Sequence, residues 1–315
     1  MKSGVIALVG RPNTGKSTFL NAVLGESISI VTPKAQTTRD QIRGILSDER
    51  GQIVFVDTPG IHRAREGGIN AFMMQEVRRA LEGPDLVLYL VDPWSKPEAE
   101  RLVLEVLRMS EAPVLPILNK CDLKKREPEK FEWVAGFFEE CRTVLTGAGV
   151  EVLPPIEISA EKKTGVPELV KDLFDRLPDG PPLYEDPEAL TDRSSRFVVA
   201  EMIRKQLFMK LGDELPYSCA VEIESYREDF KPVAISALIY VERESQKGMV
   251  IGAGGKKIKE IGTAARKEIE ELIGERVFLE LRVKVLEGWT SESRKMKQLG
   301  YEYDARGARA GKDKR

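Results

Sequence analysis

Along the first half of this chain, two hydrophobic rhythms alternate. Continuous apolar runs, Val5–Val9, Ile53–Val56, Leu86–Val91 and Val114–Leu118, have no polar side. Such runs suit strands of a parallel sheet that is covered on both faces. Strands are expected at about 4–9, 53–57, 85–91, 114–119 and 154–158, with an antiparallel edge strand in Gln41–Leu46. Between them, apolar residues spaced three and four apart predict helices over about 16–24, 69–81, 96–110, 128–147 and 165–177. This alternation predicts a doubly wound α/β domain with a mostly parallel sheet.

The pattern breaks at 178–187, where Pro178, Gly180, Pro181, Pro182 and Pro187 end any helix. A first domain over 1–178, a connector at 179–193, a second domain at 194–290 and a basic tail at 291–315 are therefore expected. The second domain reads as smaller and α+β. A helix over Phe197–Leu211 leads to strands over Ser218–Tyr226 and Val233–Arg243, the latter with Ala234, Ser236, Leu238 and Tyr240 on one face. A glycine-rich segment, a helix from about Ala264 to Ile273 and a strand over Val277–Leu286 complete it.

The chemistry of the first domain sits where its strands end. Gly10-Arg11-Pro12-Asn13-Thr14-Gly15-Lys16-Ser17, followed by Thr18, fits G-x-x-x-x-G-K-[ST] between a strand and a helix. Its glycines let backbone N–H groups wrap a phosphate at a helix N-terminus. Lys16 is expected to reach the β- and γ-phosphates, and the Ser17 hydroxyl to ligate Mg2+. Asp57-Thr58-Pro59-Gly60, followed by Ile61, offers a carboxylate for Mg2+ through water and a Gly60 N–H for the γ-phosphate. Asn119-Lys120-Cys121-Asp122 selects the base. The Asp122 carboxylate can accept from guanine N1–H and its 2-amino group, whereas adenine would leave it unpaired. Ser159-Ala160-Glu161 offers N–H groups to guanine O6. Together, in this order, these motifs predict one GTP-binding domain with its ligand at the carboxyl ends of the strands.

In the second domain, Val250-Ile251-Gly252-Ala253-Gly254-Gly255-Lys256-Lys257-Ile258 matches the V-I-G-x-x-G-x-x-I signature of KH domains. The GXXG loop grips about four nucleotides of single-stranded backbone. Lys256 and Lys257 supply charge, and Val250, Ile251 and Ile258 are expected to line an apolar groove beside the bases.

Charge and cysteine content narrow the setting. A formal net charge of −2 gives no global basic field, so RNA affinity must rest on a local patch and on basic residues at 294–297 and 306–315. Cys121, Cys141 and Cys219 form no C-x-x-C pattern, which suits a reduced cytoplasmic chain and gives no zinc site. No apolar run approaches the ~20 residues of a membrane span, and the first strand follows Met1-Lys2-Ser3 without room for a signal peptide.

These motifs resemble the Era family of bacterial GTPases, which carry a C-terminal KH domain of the type II arrangement, and the resemblance runs nearly the whole length. Lys34-Ala35-Gln36-Thr37-Thr38-Arg39 resembles that family's first switch, and Gly212–Ser218 its entry into the KH domain. The resemblance implies that Thr38 meets Mg2+ in the GTP state. It also implies that the chain binds the 3′ end of 16S rRNA, acts in assembly of the 30S ribosomal subunit, and is partly peripheral on the inner membrane face. It further implies that Asn13 holds a K+ ion in place of an arginine finger; a plain polar loop residue is the alternative.

Catalysis is the least legible function. Ile61 stands where Ras-like enzymes carry a water-orienting glutamine, so intrinsic turnover is expected to be slow. His62, the sole histidine, offers a general base or merely a neighbouring side chain. Two other functions stay open: a GTPase of tRNA modification, against which the GXXG segment argues, and a KH RNA-binding protein whose G domain only senses nucleotide.

Overall fold

A computed structural model describes residues 1–63 and 67–302 of the chain, which divides into two compact units. The first comprises residues 1–31, 38–63 and 73–192. Its elements, with helix α2 contributing from residue 73, are β1 (Lys2–Gly10), α1 (Lys16–Leu24), β2 (Ile42–Asp48), β3 (Gly51–Asp57), α2 (Gly68–Ala80), β4 (Leu86–Val91), α3 (Pro97–Leu107), β5 (Val114–Leu118), α4 (Glu132–Thr146), β6 (Ile156–Glu157) and α5 (Val166–Arg176). The sheet order is β2-β3-β1-β4-β5-β6, with β2 antiparallel on the edge and the other pairs parallel.

Strands β3, β4 and β5 are buried along their whole length, as their unbroken apolar runs require of a sheet covered on both faces. Two expected elements come out shorter. Only Ile156 and Glu157 pair in β6, and Pro128 opens a separate 3-10 turn before α4 begins at Glu132. Residues 179–192, expected as a connector, pair back on this unit. Asp179 bridges Lys2, Thr191 bridges Gly44, and Tyr184 N–H donates to Gln52 Oε1 at 2.8 Å.

The second unit comprises residues 32–37, 67–72 and 193–302. It contains α6 (Ser195–Lys210), β7 (Ala220–Arg227), β8 (Val233–Val241), α7 (Glu244–Ile251), α8 (Lys256–Ile273), β9 (Val277–Val285) and α9 (Ser293–Gln298). Strand β8 is central, antiparallel to β7 and parallel to β9. The Ser194 side chain caps α6 by accepting from Phe197 N–H. The core lies on the face of β8 that carries Val233, Ile235, Ala237 and Ile239, packed on α6 and α8. Ala234, Ser236, Leu238 and Tyr240 do share a face, but it is the opposite one.

Helix α8 starts at Lys256, eight residues before the expected Ala264, because the helical stripe of Ile261, Ala265 and Ile269 already begins at Ile258, inside the glycine motif. Residues 291–302, expected as part of a tail, are folded: Met296 is buried, and Tyr301 stacks on the buried Trp289. The remaining basic tail, 303–315, lies outside the described residues.

Candidate nucleotide site and GXXG loop

The loop between β1 and α1 is shaped by two left-handed residues, Asn13 and Gly15. A Cβ on Gly15 would stand 2.2 Å from Asn119 Nδ2, so the glycine is what lets the Asn119 side chain cross the loop. Asn119 spans two motifs: its Nδ2 donates to Thr14 O at 2.8 Å and its Oδ1 accepts from Ala160 N–H at 2.9 Å. Lys16 folds back under the loop, donating to Arg11 O at 2.9 Å and to Gly10 O at 3.3 Å. Burial pushes its ammonium down to about 8, although Asp57, Glu100 and Asp92 pull the other way. Thr14 is buried with its hydroxyl on Arg11 O, Thr18 is half-buried on α1, and Pro12 is half-buried.

At the end of β3, Asp57 Oδ2 accepts from Ser17 Oγ at 2.6 Å and from Ser29 Oγ at 2.8 Å. Ser17 Oγ also lies 3.1 Å from Thr38 Oγ1. Asp57 Oδ1 is buried with no hydrogen-bond partner among the described residues. Burial pushes this carboxyl up, opposed by Lys16 and by the two serine hydroxyls. An orphaned carboxylate oxygen beside two hydroxyls is a hard-oxygen donor set, which fits Mg2+. No described cluster offers three His, Cys, Asp or Glu ligands, and Mg2+ needs none, because it completes its shell with water and substrate phosphates.

The segment after Asp57 is pinned. Thr58 Oγ1 donates to Leu8 O at 2.7 Å, buried Pro59 follows, and Ile61 N–H donates to Gly10 O at 3.0 Å. A Cβ on Gly60 would meet Pro12 N at 2.5 Å, so Gly60 lies flat against the phosphate loop. Ile61 is in the hydrophobic core, and the His62 ring turns back, with Nδ1 3.0 Å from Gly60 O.

Asp122 is exposed in the 3-10 turn Cys121–Leu123, which Cys121 N–H anchors on Ile158 O at 3.0 Å. Lys120 Nζ donates to Asn13 O at 2.9 Å and to Asp92 Oδ2 at 3.0 Å, and sits 5.4 Å from the Trp94 ring centroid. The Ser159-Ala160-Glu161 segment is held from within the protein. Ser159 N–H donates to Thr164 O and Ala160 N–H to Asn119 Oδ1, so two of the three amides are engaged within the protein; exposed Glu161 pairs with Lys162.

Several supporting residues escape sequence reading. Asn21 fixes Ser29 through both backbone groups, at 2.7 Å and 3.0 Å. Arg11 donates to Ala99 O at 3.0 Å, with the Glu100 carboxylate 4.0 Å away, and Tyr89 Oη donates to Glu100 at 2.5 Å. No motif flags Asn21, Ser29, Tyr89, Ala99 or Glu100, because they act through folded proximity.

In the second unit, Gly252-Ala253-Gly254-Gly255 joins α7 to α8. Gly252, Gly254 and Gly255 are left-handed. The space a Cβ would fill at Gly254 and Gly255 is open, so a backbone can approach them. Lys256 is exposed, while Lys257 and Ile258 are half-buried. Val250 departs from expectation. It is fully buried against Leu207, Ile239 and Ile261, and leaves no surface for a base; Ile251 is half-buried.

A guanine-nucleotide loop set on a doubly wound sheet, followed by a glycine loop between KH helices, defines a P-loop GTPase joined to a KH domain. A family model described as "50S ribosome-binding GTPase" matches residues 5–120, and one described as "KH domain" matches residues 214–290. The chain is 45% identical to GTPase Era of Geobacter sp. strain M21, over 96% of this chain and 98% of that protein. It is 41% identical to GTPase Era of Stenotrophomonas maltophilia strain K279a, over 95% and 97%. A crystal structure of an Aquifex aeolicus Era variant bound to GDP and AlF4− superposes with a TM-score of 0.86 at 34% identity, covering 96% of this chain and all of that one. A crystal structure of Era with MgGDPNP and nucleotides 1506–1542 of 16S ribosomal RNA gives 0.86 at 35%, over the same shares. The chain belongs to the Era family of GTPases.

Proposed function

We propose that this GTPase is a switch that holds 16S rRNA near its 3′ end and acts in assembly of the 30S subunit. The observation that carries the switch half is the convergence of Ser17, Thr38 and Asp57 on one point above the sheet, with Lys16 beneath the phosphate loop. The RNA half rests on the open glycine loop before Lys256 and on the 16S rRNA held by the Era relative.

In this reading Gly10–Thr18 wrap the phosphates, and the charge of buried Lys16 is stabilised against them. Ser17 and Thr38 hold Mg2+, with Asp57 through water; the ion, when bound, neutralises charge between the β- and γ-phosphates. The Gly60 amide senses the γ-phosphate. Asp122 accepts from guanine while Lys120, fixed by Asp92 and Asn13, flanks the base. Ile61, at the position of the missing glutamine, points into the core and cannot orient a water. In the same reading Asn13, exposed on the rim of the loop, would hold K+.

Residues 32–37 and 67–72, next to Thr38 and a few residues beyond Gly60 in sequence, belong to the second unit. Nucleotide state should therefore reach the RNA-binding half. The test is RNA affinity with a non-hydrolysable GTP analogue against GDP; equal affinities would remove the switch. Peripheral attachment to the inner membrane face would be a surface contact, since no described helix is long and apolar enough to cross a membrane. Cell fractionation reads it directly.

A further inference from the structure

Helix α8 carries more positive charge than its glycine loop needs. Lys256, Lys259, Thr263 and Arg266 are exposed and recur three or four residues apart, so they share one face of the helix, with exposed Lys267 beside them. Together with Lys210 from α6 they line a shallow groove of about 630 Å³. The acidic groups on this groove are largely engaged. Glu260 pairs with Lys210 at 3.0 Å and Lys257 at 3.1 Å, and Glu270 accepts from Val277 N–H at 2.9 Å. Lys267 lies 3.7 Å from Glu271. Lys256, Lys259 and Arg266 have no ion-pair partner among the described residues.

A solvated helix face in a chain of net charge −2 ordinarily intersperses both signs and pairs them three or four residues apart. Here the unpaired cations run from the glycine loop along about 15 Å of helix, at 1.5 Å per residue. That length spans two or three successive phosphates. Helix packing on α6 and β9 leaves this side uncovered, and the helix N-terminus adds positive potential at the end nearest the loop.

We infer that the exposed face of α8 is a second RNA track, which holds sugar-phosphate backbone beyond the nucleotides in the glycine-loop groove, without regard to base. This rests on the KH reading above, and the experiment separates the two. Lys259→Glu with Arg266→Glu changes two exposed residues outside the GXXG loop and the nucleotide site. Full-length protein is titrated with a six-nucleotide single-stranded RNA and with a thirty-nucleotide RNA containing it, across 50–200 mM salt.

Each lost phosphate contact removes ~0.7 from the log–log salt slope for single strands, so the double variant should lose ~1.4 on the long RNA and bind the short one within twofold of wild type. Over that fourfold range of salt, the long-RNA affinity of the variant should then fall about sevenfold less than that of wild type. Unchanged long-RNA affinity and slope would make the stripe a solvated face and overturn the inference. Unchanged RNA binding with lost binding to polyglutamate would assign it to an acidic protein and overturn it equally. Gly254→Asp tests the other reading: if it leaves short-RNA binding intact, the glycine-loop groove fails, while the effect of the α8 charges on long RNA is still measured. A thermal melt confirms that both variants fold.

Discussion

Lys16 provides the sharpest test of the phosphate site. Its ammonium is buried and pushed down to about 8, because the cost of burial outweighs attraction to Asp57, Glu100 and Asp92. A triphosphate laid against it restores the charged form, so binding takes up a proton wherever the free protein's Lys16 is neutral. Affinity should be flat below pH 8 and fall above it, approaching tenfold per pH unit, or 1.36 kcal/mol. At pH 9 about one free protein in eleven still carries the charge, so affinity should be roughly tenfold below its value at pH 7. Fluorescence titration with a non-hydrolysable GTP analogue at pH 7, 8 and 9, at fixed ionic strength, measures this. Guanine N1 itself ionises near the top of that range, so Lys16→Arg is the control, because a guanidinium does not titrate there. Parallel pH profiles for wild type and Lys16→Arg would refute the burial argument.

The same shift has the opposite sign for the protein without nucleotide. Between about pH 8 and the ordinary lysine value of 10.5, the unfolded chain binds more protons at this residue than the folded one. The nucleotide-free protein therefore gains stability as pH rises through that window, by ~3 kcal/mol in all. A Lys16→Met variant lacks that contribution, and chemical denaturation at pH 8 and pH 10 compares the two.

Asp122→Asn should weaken GTP strongly and favour xanthosine nucleotides, since a side-chain amide donates where the carboxylate accepted; sites of this kind discriminate by ~10⁴–10⁵. Wild-type binding of ATP as tight as that of GTP would end the guanine assignment. Intrinsic hydrolysis should be on the order of 10⁻³ s⁻¹ without a glutamine at position 61, and faster in K+ than in Na+. Equal rates in the two salts would remove the K+ role, and full stimulation of Asn13→Ala would clear Asn13. Tyr89→Phe removes one buried hydrogen-bond partner of Glu100, whose Oε1 accepts no hydrogen bond among the described residues, and should cost ~1–3 kcal/mol. A melting temperature within a degree of wild type would show the pair to be dispensable.

How legible the chain is depends on whether a residue acts through local pattern or through folded proximity. Strands β3, β4 and β5 are readable because the covered stretches Ile53–Val56, Leu86–Val91 and Val114–Leu118 are apolar on both faces. The phosphate loop was readable because Gly15 and Lys16 answer a steric and a charge requirement at fixed spacing. Helix α8 begins inside the glycine motif, so Ile258 belongs both to the motif and to the helical stripe that continues through Ile261 and Ala265, and a motif does not say that the Val250 side chain turns inward. Ser29, Asn21 and Glu100 were invisible for a deeper reason. Each is ordinary in sequence and becomes part of the site only when α1, β3 and α3 converge. The same convergence engages the Ser159 and Ala160 amides. The motifs therefore mark what can touch a nucleotide, while the packing decides how firmly those groups are held. Arg11 is tied through Ala99 and Glu100 to α3, and Lys120 through Asp92 to the end of β4. Loosening those second contacts should change nucleotide residence time before it changes base selectivity, because Asp122 is exposed and depends on neither.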